Sequence, residues 1–186
     1  LPGTEVHSDR TVVDTGDIEI DCGGRFPGRT VRLTVIGPER VAVTGDNGAG
    51  KTTLLRALRP DVPSAYLTQS RDDLDDELYV VENVTAVAPT ATVTEIRTRL
   101  ARFLFRGRRA EAAVRTLSGG ERVRAALATV LLTEPPPQLL ILDEPTNDLD
   151  LASREQLVSA LYSFRGALVV VSHDVDFLER LGVTRR

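Results

Sequence analysis

The sequence has little sulfur and few aromatic residues: its 186 residues include one cysteine, Cys22, and no methionine or tryptophan. A single cysteine excludes an internal disulfide and fits a reducing compartment. No apolar stretch approaches the ~20 residues that a membrane span requires, and the first residues lack the basic and apolar segments of a signal peptide. These absences predict a cytoplasmic chain with no membrane-spanning segment. Because translation starts at methionine, we expect this chain, which starts at Leu1, to be a domain of a longer protein.

The sequence also lacks an excess of positive charge, since the formal net charge is -4 at pH 7 and the pI is about 5.3. A domain that binds nucleic acid over its whole surface usually carries a clear basic excess, so any such contact must be local. The length fits one domain that buries roughly two thirds of its unfolded surface.

Short apolar runs alternate with amphipathic segments along the chain. Continuous runs are typical of strands buried on both faces of a parallel sheet, and they lie at residues 41–43, 139–142 and 168–171. Apolar residues recur at a spacing near 3.6 in segments 51–58, 119–132 and 152–164. The pattern predicts an α/β fold with a parallel core sheet and flanking helices.

Two further segments predict additions to this core. The N-terminal stretch alternates apolar and polar residues, which indicates a small antiparallel β layer with one face in water. Its apolar positions are Ile18, Ile20, Val31, Leu33 and Val35. Residues 92–104 begin with a capping box of Thr92 and Glu95 and predict a helical insertion. We expect one side of that helix to carry Ile96, Leu100, Phe103 and Leu104.

Residues 45–52 match the pattern G-x-x-x-x-G-K-[ST] between a predicted strand and a predicted helix. Glycines let successive N–H groups point inward, and the helix presents the positive end of its dipole, so the loop suits phosphate oxygens. Lys51 adds charge for the outer phosphates, and the Thr52 hydroxyl can ligate Mg²⁺. A glycine-rich turn with an accidental lysine is disfavoured by the flanking elements. The predicted nucleotide-binding residues are Gly45, Asp46, Asn47, Gly48, Ala49, Gly50, Lys51, Thr52 and Thr53.

Two acids, Asp143 and Glu144, follow the apolar run at 139–142. Ligands of open α/β sheets bind beyond the C-terminal ends of the strands, so Asp143 is predicted to partner Mg²⁺. Glu144 can point to the opposite side and polarise a water for attack on the γ-phosphate. The alternative, that the two acids only cap the next turn, is weakened because the phosphate loop needs an acidic partner.

A second candidate phosphate site begins at Ser118, which forms an S-x-x-E capping box with Glu121 on an amphipathic helix. Gly119 and Gly120 in its first turn leave N–H groups open to an anion. Because the first loop already encloses one ATP tail, we expect Ser118, Gly119 and Gly120 to serve a nucleotide held by another domain.

Together these motifs resemble the ATP-binding cassette (ABC) ATPases, which are P-loop NTPases, over residues 40–178. The motifs occur in the family's order. Residues 45–52 match the Walker A loop, Gln69 matches the Q-loop, and residues 117–121 match the signature. Asp143 and Glu144 match the Walker B pair, residues 147–150 match the D-loop, and His173 matches the switch histidine. The resemblance implies that Gln69 contacts nucleotide and Mg²⁺. It also implies that Lys51, Glu144 and His173 act in ATP hydrolysis between two domains stacked head to tail.

Residues 143–150, followed by 171–174, most resemble subfamily F, whose members carry two cassettes in one chain and act on ribosomes. This implies one cassette of a tandem protein in translation or antibiotic resistance. We expect its core at about 1–69 and 117–186 and its helical insertion at about 70–116. Two alternatives stay open: the ATPase subunit of a membrane transporter, and a regulatory module that binds nucleotide without hydrolysing it.

Basic residues cluster in the predicted insertion: Arg97, Arg99, Arg102, Arg106, Arg108 and Arg109. They are either a solvated helix face with long covering side chains or a local contact for ribosomal RNA phosphates. Two positions depart from the family. Phe26 is the only ring near the place from which relatives stack on adenine, and Asp46 puts a carboxylate beside the phosphate loop.

Overall fold

The computed structural model describes residues 3–19, 30–68, 74–147 and 149–186. The strands are β1 (Thr11–Asp14), β2 (Ile18–Glu19), β3 (Thr30–Val31), β4 (Thr34–Ile36), β5 (Arg40–Val43), β6 (Ser64–Leu67), β7 (Leu139–Asp143) and β8 (Ala167–Val171). The helices are α1 (Lys51–Ala57), α2 (Val80–Val87), α3 (Val93–Leu100), α4 (Gly119–Leu131), α5 (Leu151–Tyr162) and α6 (Val175–Arg180). Short 3₁₀ helices lie at Ala101–Phe103, Gly107–Glu111 and Val114–Thr116. Within these described ranges, no helix has both the length and the apolar character needed to cross a bilayer.

The main sheet has the strand order β5-β8-β7-β6, and all its strands are parallel. Every residue of β7 and β8 is buried, because apolar layers cover both faces of these central strands. The predicted α/β fold with a parallel core sheet is confirmed. The C-terminal ends of the four strands share one edge, where α/β sheets bind their ligands.

Alternate residues of β7 face two different apolar layers. Leu140 and Leu142 belong to the larger core, which includes residues of α2 to α6. Leu139 and Ile141 belong to the smaller core, which includes residues of β1 and α1. By the same alternation Asp143 lies on the α1 face of the sheet, and α1 is the helix that follows the phosphate loop.

The predicted antiparallel layer is confirmed as two small sheets. β1 pairs with β4 and β2 pairs with β3, both antiparallel. Val13 and Val35 of the first pair are fully buried against the smaller core. Leu33 lies between β3 and β4, and Ile20 falls outside the described residues.

The described residues between β6 and α4 form helices and 3₁₀ turns. The predicted capping box is present: Glu95 N–H donates to Thr92 Oγ1, and Thr92 N–H donates to Glu95 Oε2 at 2.8 Å. Ile96, Leu100 and Phe103, which were predicted to share one side, are all buried. The prediction for Leu104 was wrong, since its side chain is 46% exposed. The α-helix ends at Leu100, and a 3₁₀ turn and left-handed backbone at Leu104 (φ 66°) break the helical spacing.

Arg40, at the start of β5, ties two helix ends to the sheet. Its half-buried guanidinium donates to the carbonyls of Leu181 at 2.7 Å, Phe164 at 3.0 Å and Leu161 at 3.4 Å. Leu161 and Phe164 flank the end of α5, and Leu181 is the C-cap of α6. Burial lowers the pKa of Arg40. One cation thus satisfies carbonyls that helix C-termini leave without partners.

Candidate functional site

The phosphate loop lies between β5 and α1 and depends on glycine at two positions. Gly48 (φ 80°) and Gly50 (φ 90°) adopt left-handed backbone, and Gly50 is the N-cap of α1. The loop borders a cavity of about 730 Å³ at the C-terminal edge of the sheet. That volume lies within the range typical of small-molecule sites.

The cavity gathers most of the predicted site residues. It is lined by Asn47, Gly48, Gly50, Lys51, Thr52, Thr53, Asp143, Glu144, Asn147, Val171 and His173. Gly45, Asp46 and Ala49 do not line it; the carbonyls of Gly45 and Asp46 instead accept hydrogen bonds from Lys51 Nζ at 2.7 and 3.0 Å. The Asp46 side chain is exposed. Gln69 and Phe26 lie outside the described residues.

Asp143 ends β7 and is 3% exposed. Its Oδ2 accepts a hydrogen bond from the Tyr66 hydroxyl at 3.1 Å. Its Oδ1 is buried and has no hydrogen-bond partner among the described residues. A buried carboxylate oxygen without a partner is costly unless a cation or another ligand satisfies it.

This donor set fits Mg²⁺. The cation is usually held by one or two protein oxygens together with substrate phosphates. Asp143 and the Thr52 hydroxyl line the same cavity and are hard oxygen donors. Across the described parts of the chain there is no group of three or more His, Cys, Asp or Glu residues that could hold a metal without such phosphates.

Glu144 reaches the cavity through an unusual backbone conformation. Its φ is 48°, a left-handed value that costs a residue with a side chain of order 1 kcal/mol or more. The Glu144 N–H donates to Val171 O at 2.9 Å, so the neighbouring strand holds this turn. If the strand simply continued, the Glu144 side chain would point to the face of the sheet away from Asp143. The left-handed turn instead brings both carboxylates to one cavity.

A chain of three polar side chains crosses the cavity mouth. Glu144 Oε1 lies 3.3 Å from His173 Nε2, and the same Nε2 lies 3.3 Å from Lys51 Nζ. The Glu144 side chain is 12% exposed and that of His173 is 55% exposed. A carboxylate, an imidazole and an ammonium group therefore meet above the phosphate loop, as the γ-phosphate of a nucleotide would require.

The helix at Ser118 begins as predicted. Glu121 N–H donates to Ser118 Oγ at 3.3 Å, while Ser118 N–H and Oγ–H donate to Glu121 Oε2, each at 3.0 Å. These bonds lower the pKa of Glu121, and Arg109 pairs with the same carboxylate. Ser118 and Gly119 are exposed and lie outside the lining of the phosphate cavity. A neighbouring molecule can therefore reach this helix end.

Gly120 packs against the start of α5. A Cβ at this position would lie 1.9 Å from Ser153 Oγ and 2.9 Å from Ser153 Cβ. Ser153 is buried, and its N–H donates to Asp150, the N-cap of α5, at 2.7 Å. The close approach couples the helix at Ser118 to the segment that follows β7. Asp148, in that segment, is outside the described residues.

Two residues near the cavity were missed by the sequence analysis. Tyr66 was given no role there, although a buried tyrosine needs a partner for its hydroxyl. Asn147 was placed in the D-loop and was not assigned to the cavity that it lines. Tyr66 contacts Asp143, and Asn147 shares the cavity with Lys51; both are relations between residues distant in sequence.

Of the six arginines of the predicted insertion, two form salt bridges with described residues, Arg99 is partly exposed, and the other three are exposed. Arg97 pairs with Glu111 and Arg109 pairs with Glu121. Arg102, Arg106 and Arg108 are exposed, and none of them forms a salt bridge with another described residue. The unpaired subset is therefore the part of this surface that is open to a polyanion.

Comparisons with known proteins agree with this geometry. The model of the family "ABC transporter" matches residues 60–147. The chain is 35% identical to the "ATP-binding protein Uup-like" of Haemophilus influenzae, over 95% of the chain and 42% of that protein. It is 40% identical to the "Putative ATP-binding protein YdiF" of Bacillus subtilis, over 77% of the chain and 24% of that protein. The chain thus spans about a quarter to two fifths of the length of these relatives.

A solved structure shares the fold. The "Structure of a bacterial Atm1-family ABC exporter with ATP bound" superposes with a TM-score of 0.71 and covers 92% of this chain and 36% of the other. Sequence identity is 18%, so this likeness concerns the fold alone.

Proposed function

Because this chain is an ATPase domain of the ATP-binding cassette family, with relatives named as ATP-binding proteins, we propose that it binds ATP with Mg²⁺ and hydrolyses it to ADP and phosphate. One observation carries the proposal: a single cavity of about 730 Å³ gathers Lys51, Asp143, Glu144 and His173 around the phosphate loop. A structural pair of acids would not need the buried Asp143 Oδ1, which has no partner among the described residues, or the left-handed backbone of Glu144.

Each residue has a role that follows from its place. The N–H groups of the loop and Lys51 bind the β- and γ-phosphates. Thr52 and Asp143, with Gln69 as a further candidate, would hold Mg²⁺, and the cation would neutralise charge on the phosphates. Glu144 orients a water and accepts its proton as that water attacks the γ-phosphorus. His173, next to both Glu144 and Lys51, donates a hydrogen bond to the γ-phosphate.

The site needs a second cassette. Ser118 and Gly119 are exposed at the N-terminus of α4, and neither they nor Gly120 line the cavity of their own chain. A head-to-tail partner would place its own Ser118 helix over this ATP, either as a second cassette of a longer protein or as another copy. The proposed unit has its core at about 1–69 and 117–186 and its helical insertion at about 70–116. The relatives are long enough to hold more than one such unit.

Replacement of Glu144 by Gln tests hydrolysis. Glu144→Gln keeps the size of the side chain but removes the base, so hydrolysis should fall about 10²–10⁴-fold while ATP stays bound. Steady-state phosphate release and retention of labelled ATP on the protein measure the two effects. The matched control is Glu179→Gln, an exposed acid outside the cavity. Hydrolysis that persists in Glu144→Gln would refute the assignment, and a wild type that binds ATP without turnover would indicate a regulatory module.

The cellular role that we propose is action on the ribosome in the cytoplasm, in translation or in protection from antibiotics. It is supported by the subfamily F pattern at residues 143–150 and by the exposed arginines of the insertion. Such a surface would bind RNA phosphates without reading sequence, and its affinity would fall as salt rises.

Charge reversal tests the ribosomal contact. The double change Arg102→Glu and Arg106→Glu should weaken co-sedimentation with ribosomes and reduce its salt dependence, because two phosphate contacts are lost. The control reverses two exposed arginines outside the insertion, Arg10→Glu and Arg165→Glu. Equal ribosome binding of the two double variants at low salt would show that Arg102 and Arg106 do not contact the ribosome. Co-purification with membranes instead of ribosomes would favour the transporter alternative.

A further inference from the structure

Tyr66 is placed beside the proposed metal ligand by the register of the sheet. It lies in β6, which pairs in parallel with β7 so that Tyr66 is opposite Ile141. Side chains two residues apart on a strand share a face, so Tyr66, Ile141 and Asp143 lie on the α1 side. The Tyr66 ring packs against the smaller core, and its hydroxyl reaches Asp143 Oδ2 at 3.1 Å.

This hydrogen bond distinguishes the two oxygens of Asp143. Oδ2 is engaged by Tyr66, while Oδ1 is buried without a partner among the described residues. A carboxylate held at one oxygen loses rotational freedom about its Cβ–Cγ bond. Oδ1 is thereby left as the oxygen available to a cation in the cavity that Asp143 lines.

Tyr66 remains a hydrogen-bond donor at any physiological pH. Burial and the negative charge of Asp143 raise the pKa of Tyr66 to about 12, although Arg56 acts in the opposite direction. Arg56 lies in the last turn of α1, so the phenol is held between a cation on that helix and a carboxylate on β7. The Asp143 carboxylate favours a neutral phenol that donates to it, whereas the Arg56 cation favours the ionised phenol and is outweighed.

We propose that Tyr66 is a positioning residue for the divalent cation, which fixes the Asp143 carboxylate so that Oδ1 meets Mg²⁺ at the phosphates of bound ATP. The inference rests on the proposed function, because it takes Asp143 as a metal ligand. Groups that hydrogen-bond to metal ligands commonly contribute about 10–100-fold to metal affinity. Tyr66 does not itself line the cavity, so it acts on the cation through Asp143.

The test is Tyr66→Phe in the 186-residue chain, which removes one oxygen and keeps the ring. Calorimetric titration gives the Kd for ATP in Mg²⁺ and in EDTA, and the ratio of the two is the affinity gained through the metal. We expect Tyr66→Phe to lower this ratio about 10-fold and to leave the Kd in EDTA and the Tm unchanged. Tyr162→Phe, at a 77% exposed tyrosine, is the matched control and should keep the wild-type ratio.

The outcomes separate the two proposals. A Tyr66→Phe ratio within about twofold of wild type overturns the positioning role, even if ATP binds more weakly in both buffers, because a general packing defect would not act through the metal. Asp143→Asn should abolish most of the metal-dependent gain. If Mg²⁺ does not raise the affinity of the wild type for ATP, the proposed function is refuted, and the experiment then fails for a reason unrelated to Tyr66.

Discussion

Gly119 and Gly120 are adjacent residues with opposite requirements. A Cβ at Gly119 would meet nothing within 4 Å, whereas one at Gly120 would collide with buried Ser153. Gly120→Ala should therefore destabilise the fold by about 1–3 kcal/mol through overpacking, and Gly119→Ala should leave stability unchanged or slightly raised. Thermal unfolding of the two variants measures the difference, which corresponds to about 2–4 °C in Tm for each kcal/mol.

A double-mutant cycle tests whether the clash with Ser153 causes the destabilisation by Gly120→Ala. Ser153→Gly removes the two atoms nearest to the new methyl group, so Gly120→Ala should cost less in that background. Additive effects of the two changes would show that the Gly120 requirement has another origin. Full tolerance of Gly120→Ala would contradict the close packing of α4 on α5.

At the scale of elements, Arg40 joins the ends of α5 and α6 to β5. Arg40→Ala removes charged hydrogen bonds to the carbonyls of Leu161, Phe164 and Leu181 and leaves part of them without partners. The expected loss is about 2 kcal/mol of unfolding free energy, or a Tm lower by about 4–8 °C. Arg165→Ala, at a nearby exposed arginine, is the control. Equal Tm values for the two variants would mean that the helix ends do not depend on Arg40.

At the scale of the whole molecule, the exposed helix start at Ser118 lies outside the lining of the phosphate cavity. If ATP is shared by two cassettes, the chain alone should bind ATP but hydrolyse it slowly, and specific activity should rise with protein concentration as pairs form. A dilution series of ATPase activity measures this. Constant specific activity over a wide range would contradict a shared site.

Mixing inactive variants provides the control for that result. Lys51→Ala disables the phosphate loop, and Ser118→Arg blocks the helix end that serves the partner. A head-to-tail pair of one of each keeps one intact composite site, so the mixture should regain part of the wild-type rate. No recovery in a mixture that does form pairs would indicate that each chain completes its own site.

Local sequence patterns determined much of this protein. The strands 41–43, 139–142 and 168–171, the phosphate loop and the capping boxes at Thr92 and Ser118 all follow from residues within a few positions of one another. Such features depend on backbone conformation and nearest neighbours, so periodicity and cap chemistry reveal them.

Tertiary structure alone decided the contacts between distant segments. The parallel register of β6 and β7 brings the Tyr66 hydroxyl to Asp143. A hydrogen bond to Val171 holds Glu144 in a left-handed turn. The close approach of Ser153 leaves no room for a side chain at Gly120. Leu104 left the predicted helix face because its backbone turned after a 3₁₀ segment. These features depend on which segments pack together and in what register, and that is set by the whole core rather than by any short stretch of sequence.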